Sequence, residues 1–196
     1  MLYGVWNFGG GALTIGQIYT PVFTIYSNQV GGGDGDLVTY GAIYAGRQPS
    51  IQLSMGGLKI ALVTSSAPGG TVAAATDTDT SMPKLEVAYS LKAGSVSLKP
   101  MFGYHSYDVV DAANKEYGID SYILGVGFSG GFGAAYVKGS VYMGENLGNY
   151  GILEKPGHTA TYDVGTNSIK NCDSMGYQLI AGFKASDMIT IEAGYG

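Results

Sequence analysis

The sequence predicts an all-β protein, folded as an antiparallel up-and-down β-barrel whose strands cross a membrane. Only 13% of the 196 residues are charged, whereas soluble domains average about 25%. The chain also contains 33 glycines and 16 tyrosines. Low charge, abundant tyrosine and alternating apolar residues are typical of a β-protein whose outer surface need not face water. The length fits one domain, residues 1–196.

Alternation with a period of two residues is clear in the segments 85–92 and 177–184. In the first segment the odd positions are Leu, Val, Tyr and Leu, whereas the even positions are Glu, Ala, Ser and Lys. The same period also fits a half-buried sheet in a soluble protein. Eight tyrosines near the ends of the predicted strands favour the membrane protein, where tyrosines form an interfacial girdle. They are Tyr19, Tyr89, Tyr104, Tyr107, Tyr122, Tyr142, Tyr177 and Tyr195.

About ten strands are predicted, and the connections between them alternate between short turns and long loops. Short turns are expected at residues 56–57, 93–95, 129–131 and 185–188, and long loops at 67–82, 108–116 and 144–174. Short connections on one side and long ones on the other are typical of an up-and-down membrane barrel.

A long loop at about residues 22–46 separates two predicted strands that otherwise resemble neighbours. The preceding strand stops at Pro21, because proline cannot donate a hydrogen bond to a strand ladder, and the following strand begins after Arg47, the only arginine. Loops longer than about 12–15 residues are usually functional or disordered. Since this loop contains Asp34 and Asp36 and ends on a base, the sequence predicts that it is functional.

Several function classes are disfavoured by composition. The net charge of −5 argues against nucleic-acid binding, which needs a basic surface. Cys172 is the only cysteine, so no disulfide can form within the chain, and no apolar run is long enough for a membrane-spanning helix. His105 and His158 are the only histidines, and no nucleophile is spaced with them. We therefore expect no enzymatic activity, no cofactor and no metal; a calcium loop at 34–36 or 77–79 is an alternative that lacks the rest of the ligand pattern.

Residues 11–62 resemble the Gram-negative trimeric porins. In that family a Leu-x-x-Gly-x-x-x-Thr-Pro strand precedes a loop that folds into the lumen, and an Arg-x-x-Ser-[Val/Ile]-x-[Leu/Tyr] strand follows. This chain has LTIGQIYTP at 13–21, RQPSIQL at 47–53 and Gly-Leu at 57–58. The resemblance implies a homotrimeric channel in the lipid of a Gram-negative outer membrane, through which small hydrophilic solutes and ions diffuse passively.

The chain also departs from the porin pattern. Porins of this kind usually have sixteen strands and end on an aromatic residue, whereas about ten strands are predicted here and the last residue is Gly196. Aligned on the inserted loop, the chain would run from about the fourth strand to the thirteenth. Residues 1–5 carry no basic start of a signal peptide. We therefore expect an internal portion, or a processed form, of a longer porin.

The resemblance implies a constriction, where acids on the inserted loop face bases on the barrel wall and the transverse field sorts solutes by size and charge. The predicted pore-lining residues are Asp34, Asp36, Arg47, Lys59, Glu86, Lys92, Lys99 and Glu192. Arg47 matches the wall arginine of the family, and strand alternation selects the others on the wall.

Alternative interpretations exist for four of these residues. Asp34 and Asp36 lie among glycines and fit ordinary turn residues equally well. Lys59 and Lys92 adjoin turns and fit rim charges that contact no solute. Glu86 lies nearer the centre of its strand, where an ionisable side chain at membrane depth must face water or a partner.

A different class of protein is also compatible with the composition. A structural or adhesive β-protein, soluble or surface-exposed, would share the glycine-rich strands. It does not explain a column of ionisable residues opposite an apolar band bounded by tyrosines. Extraction distinguishes the two, because a porin needs detergent. A substrate-specific channel is a third possibility, but no aromatic slide is recognisable in the sequence.

Overall fold

The computed structural model describes residues 2–31, 34–64, 75–152 and 157–196, and these form strands with one short helix. The strands are β1 Tyr3–Asn7, β2 Ala12–Tyr19, β3 Val30–Gly31, β4 Asp34–Gly35, β5 Arg47–Met55, β6 Leu58–Val63, β7 Ala75–Asp79, β8 Lys84–Tyr89, β9 Leu91–Ala93, β10 Val96–Asp111, β11 Glu116–Phe132, β12 Ala135–Glu145, β13 Thr161–Asp163, β14 Ser168–Lys170, β15 Asp173–Lys184 and β16 Thr190–Tyr195. The helix α1 is Leu147–Tyr150.

The described strands form one antiparallel sheet of twelve strands and two small hairpins. The main path runs β1-β2-β5-β6-β8-β10-β11-β12-β15-β16, while β7 and β9 each pair with β10. The hairpins are β3–β4 and β13–β14. The all-β, antiparallel prediction is therefore confirmed. The sheet is open, with β1 and β16 at its two edges.

Some predicted boundaries are correct and others are wrong. The turn at 56–57 is confirmed, and the turn predicted at 93–95 lies at 94–95, since Ala93 belongs to β9. The predicted loop at 108–116 is wrong, because β10 and β11 remain paired as far as Val110 opposite Glu116. The predicted turn at 129–131 is displaced, since β11 pairs with β12 as far as Phe132 opposite Ala135. In these long strands the ladder hydrogen bonds outweigh the weak local preference of polar and glycine residues for turns.

The predicted loop at 67–82 also contains a strand that the sequence pattern does not indicate. Its residues Ala75–Asp79 form β7, which pairs with the end of β10, and Asp108 lies opposite Asp79. Residues 65–74 lie outside the described part of the chain. The strand consists only of Ala, Thr and Asp, so its pairing supplies an order that local propensity does not.

The two faces of the sheet differ in composition in the way that the alternation predicts. One face, the outer face, exposes large apolar side chains: Leu62, Leu179 and Phe183 are 47%, 50% and 52% exposed. The other face, the inner face, holds buried polar residues such as Glu86 and Gln178. None of the described helices is long and apolar enough to span a membrane.

The main core lies between the inner face and two connections that fold over it, the 20–46 loop and the 146–172 loop. Val22, Ile43 and Ala45 come from the first loop, and Leu147 and Ile152 from the second. They pack against inner-face residues of β8, β10, β11 and β12, which are Ala88, Met101, Ile123 and Tyr142. Burial of these groups at about 25 cal/mol per Å² holds both loops on the sheet.

Two of the predicted girdle tyrosines are not on the outer face. Tyr107 and Tyr142 are each only 2% exposed. Tyr107 shares the strand face of Lys99 on β10, and Tyr142 that of Ser140 on β12, so both point inward by alternation. Tyr177 and Tyr195 are exposed on the outer face, as a girdle requires.

Candidate functional site on the inner face

The 20–46 loop leaves β2, crosses the inner face of the sheet towards β16 and returns to β5. On the outgoing arm, the backbone N–H of Val22 donates to Glu86 Oε2 on β8 at 2.8 Å. The next carbonyl, that of Phe23, accepts from Lys99 Nζ on β10 at 2.9 Å. Two predicted pore-lining residues therefore bind the backbone of the predicted inserted loop.

The far end of the loop is fixed by Glu192 on β16. Its Oε1 accepts from Ser27 Oγ at 2.9 Å and from the backbone N–H of Asn28 at 2.8 Å. Tyr136 OH on β12 donates to Oε2 at 2.6 Å. Oε2 also accepts from Asn28 Nδ2 at 3.3 Å, so both oxygens of Glu192 bind the loop and one of them is also bound to β12.

The returning arm is bound by amide and hydroxyl groups of the sheet. Gln178 Nε2 on β15 donates to the carbonyls of Leu37 at 2.8 Å and Tyr40 at 3.0 Å. Ser140 Oγ on β12 donates to the carbonyl of Gly41 at 3.4 Å. Each net hydrogen bond of this kind stabilises the folded state by about 0.5–1.5 kcal/mol. The described parts of the loop are therefore attached to the sheet on both arms.

The outgoing and returning arms also bind each other. The backbone N–H of Thr24 donates to the carbonyl of Ile43 at 2.8 Å, and the N–H of Ile43 donates to Thr24 Oγ1 at 3.1 Å. Both residues are buried. The loop is consequently a folded two-arm layer whose backbone groups are satisfied at this point, as burial requires.

The 146–172 loop meets the first loop at a buried ion pair. Lys84 Nζ lies 3.4 Å from Glu86 Oε1, and both side chains are fully buried. Tyr150 OH at the end of α1 donates to the same Oε1 at 2.8 Å. Burial, and the negative charge of Glu86, hold the pKa of Tyr150 well above its usual range, so the phenol remains a donor. Glu86 therefore binds both loops at once.

Three asparagine-centred contacts close the base of the second loop. The backbone N–H of Asn146 donates to the carbonyl of Cys172 at 2.9 Å, and the N–H of Cys172 donates to Asn146 Oδ1 at 2.9 Å. Asn146 Nδ2 also donates to the carbonyl of Asp120 at 2.8 Å. One turn further on, Asn149 Nδ2 donates to Tyr107 OH at 2.7 Å. These bonds join both ends of the loop to β11 and β10.

The predicted site residues are therefore not equivalent. Glu86, Lys99 and Glu192 each bind the backbone of the 20–46 loop, the first two where the loop begins to cross the sheet and Glu192 at its far end. Lys59 lies opposite Ala88 on the inner-face side of β6, and its side chain is exposed. Lys92 in β9 is exposed beside a turn.

Arg47 and the two loop acids lie at the margins of this arrangement. The Arg47 side chain is exposed, and its guanidinium carbon lies 4.6 Å from the centre of the Tyr19 ring. It shares the strand face of Ile51, an outer-face residue. Asp36 adopts a left-handed conformation, with φ 63°, at the start of a turn. The side chain of Asp34 lies outside the described residues.

Sequence reasoning missed the residues that complete the site. Lys84 stands one residue before the alternating segment 85–92, so that pattern does not select it. Tyr150 lies in a region predicted as a polar loop, and no local pattern marks its burial. Gln178 was placed on the polar face, but its pairing with the 20–46 loop depends on residues about 140 positions away. The aromatic cluster of Tyr19, Phe23 and Tyr44 was also missed.

The described side chains include no group of three His, Cys, Asp or Glu residues placed to hold a metal ion. No family model, curated protein or solved structure was found to match this chain. The function is accordingly inferred from the chemistry of the two faces of the sheet and the loops that cover one of them.

Proposed function

We propose that this protein forms a water-filled channel in a Gram-negative outer membrane, through which small hydrophilic solutes and ions diffuse passively. The observation on which the proposal depends is the distribution of polarity across the sheet. Leu62, Leu124 and Leu179 are about half exposed on the outer face, whereas Lys84 and Glu86 are fully buried on the inner face. A soluble sheet buries its apolar face, while a membrane barrel presents that face to lipid.

The outer face also carries a contiguous apolar groove, as a lipid-contacting surface can. A groove of about 350 Å³ runs across β10, β11, β12 and β15 and is lined by apolar side chains. These include Leu124, Val126, Val141, Met143 and Met175. Contiguous exposed apolar surface is uncommon on soluble monomers, and lipid chains would cover it without any specific partner.

The 20–46 loop supports the channel class rather than a merely structural membrane sheet. It is held against the inner face by Glu86, Lys99, Gln178 and Glu192. A loop fixed to one wall narrows the space between that wall and the opposite one, which is how the trimeric porins that the sequence resembles sort solutes. A homotrimer follows from that resemblance.

Closure of the sheet is part of the proposal. In a bilayer, unpaired backbone N–H and C=O groups along β1 and β16 would each cost several kcal/mol. The proposal therefore requires that both edges be paired in the membrane-embedded protein. Closed barrels satisfy every strand edge, whereas an open sheet does not.

Single-channel recording in planar lipid bilayers under a salt gradient tests the proposal. Stepwise conductance in multiples of three, with a measurable ion preference, is the expected result. The matched control is Leu124→Lys, which places a charge on the lipid-facing side and should reduce the number of insertion events while leaving the conductance of each channel unchanged. Folded protein that dissolves in buffer without detergent, and yields no conductance steps, would contradict the proposal and favour a structural β-protein.

A further inference from the structure

The ring of Tyr150 occupies a notch in the inner face that only glycine can provide. Gly103 on β10 lies directly opposite Glu86 on β8, between the two loops. A Cβ atom at residue 103 would overlap the Tyr150 hydroxyl, and would lie 2.6 Å from the adjacent ring carbon. Real Cβ contacts are never this short, so the seat of Tyr150 exists because residue 103 is glycine.

Polar groups surround the seated ring on the other sides. The Tyr150 hydroxyl donates to Glu86 Oε1 at 2.8 Å, and the Lys84 ammonium lies 4.4 Å from the centre of its ring. Lys84 Nζ also lies 3.4 Å from the Tyr150 carbonyl. A tyrosine on a four-residue helix is thus held by steric fit, a charge-assisted hydrogen bond and a cation–π contact.

We infer that residues 146–152 form a second inserted segment that narrows the channel, and that the Tyr150 seat determines how far the segment enters. The inference rests on the proposed channel function. The segment lies on the same inner face as the 20–46 loop, and Leu147 and Ile152 share one core with Val22 and Ile43 of that loop. Two loops that meet on one wall occlude more of the lumen than one, so the size limit for solutes depends on both.

The second segment is bound to fewer strands than the 20–46 loop and is the more easily released of the two. The 20–46 loop is bound at β8, β10, β12, β15 and β16. The 146–152 segment depends chiefly on the Tyr150 seat and on the bonds of Asn146 and Asn149. Removal of one charge-assisted hydrogen bond should therefore increase the open fraction of this segment by about 10- to 150-fold.

The experiment compares full-length wild-type protein with Tyr150→Phe, Gly103→Ala and the control Tyr162→Phe. Tyr162 lies in the same loop, but its hydroxyl bonds Asn167 on the exposed hairpin. Amide hydrogen exchange of residues 147–152 in the folded protein measures release of the segment. Bilayer conductance, and exclusion of poly(ethylene glycol) probes of graded size, measure the width of the channel.

We expect Tyr150→Phe and Gly103→Ala to raise both the exchange rate and the size of the largest probe that enters the channel, and Tyr162→Phe to change neither. Faster exchange with unchanged conductance and probe exclusion would overturn the inference, because the segment would then lie off the solute path. Unchanged exchange in Tyr150→Phe would overturn it as well. Absence of conductance in the wild type and in every variant would instead refute the proposed channel, and the exchange data distinguish that failure from the others.

Discussion

Replacement of Lys84 by methionine removes the only cation within salt-bridge distance of Glu86 among the described residues. Both side chains are fully buried, and Glu86 retains only two hydrogen bonds, from the Val22 N–H and the Tyr150 hydroxyl at 2.8 Å each. Methionine is close to lysine in length and shape, so little packing is lost. The main consequence is a carboxylate that remains buried without a compensating charge.

Breaking a buried ion pair by removal of one partner typically costs about 3–5 kcal/mol, because the remaining charge is desolvated. We expect Lys84→Met to lower the free energy of unfolding by that amount. Glu86→Gln should cost a similar amount, since it leaves the ammonium unpaired. The double variant Lys84→Met/Glu86→Gln has no buried charge, so its cost should fall short of the sum of the single variants by about 2 kcal/mol.

Urea titrations followed by circular dichroism, in a medium where the wild type unfolds reversibly, measure these differences. The control is Lys184→Met. It removes a solvent-exposed ion pair in which Lys184 Nζ lies 3.1 Å from Asp187 Oδ1. Such exposed pairs contribute about 0–1 kcal/mol, so the control should stay close to the wild type. If Lys84→Met costs less than about 1 kcal/mol and the two single effects simply add, the assignment of Glu86 as a charged anchor of both loops is refuted.

Three further results are expected. Leu124→Lys should weaken folding into lipid vesicles by about 2–4 kcal/mol, because it places a charge on the lipid-facing side. The control Val164→Lys, on the exposed β13–β14 hairpin, should have no measurable effect on vesicle insertion. Equal effects of the two substitutions would argue against a lipid-facing outer face. Gln178→Leu removes two hydrogen bonds to loop carbonyls and should cost about 1–3 kcal/mol, measured by urea titration, and a neutral result would mean that these bonds do not hold the loop. Gly41→Ala places a Cβ atom against the carbonyl group of Tyr177, at a residue whose backbone φ is +76°. We expect it to detach the 20–46 loop and so increase the rate at which a protease cleaves the loop. An unchanged cleavage rate would show that the loop does not need this close approach.

The parts of the fold that could be predicted from the sequence are those that depend on short-range patterns. Strand alternation correctly separated Leu179 on the outer face from Gln178 on the inner face, because the side-chain period of a strand is two. It also placed Glu86 and Lys99 on the polar face. The turns at Gly56 and Gly94 followed from local glycine chemistry, and both residues have positive φ.

The parts that could not be predicted depend on pairing over long distances. In the strand Ala75–Asp79 the preference of two threonines for extended structure is offset by alanine and two aspartates, and the strand pairs with the far end of β10. The path of the 20–46 loop is set by partners on five strands, none of which is marked by a local motif. The contact between Tyr150 and Gly103 joins a helix within a polar segment to a strand about 45 residues earlier in the chain. Neither segment, taken by itself, contains a pattern that predicts this contact.

Burial changes what the predicted charges can do in a channel. Glu192 accepts three protein donors within 3 Å, and Lys99 donates to a loop carbonyl, so both are occupied in holding the 20–46 loop. Their hydrogen bonds therefore give these two charged side chains a structural role in holding the loop. Arg47, Lys59 and Lys92 are exposed. Arg47 shares the outer face of β5 with Ile51, so if the protein conducts, its ion preference should depend on Lys59, Lys92 and the loop acids. Glu86, Lys99 and Glu192 instead control how rigidly the 20–46 loop is held.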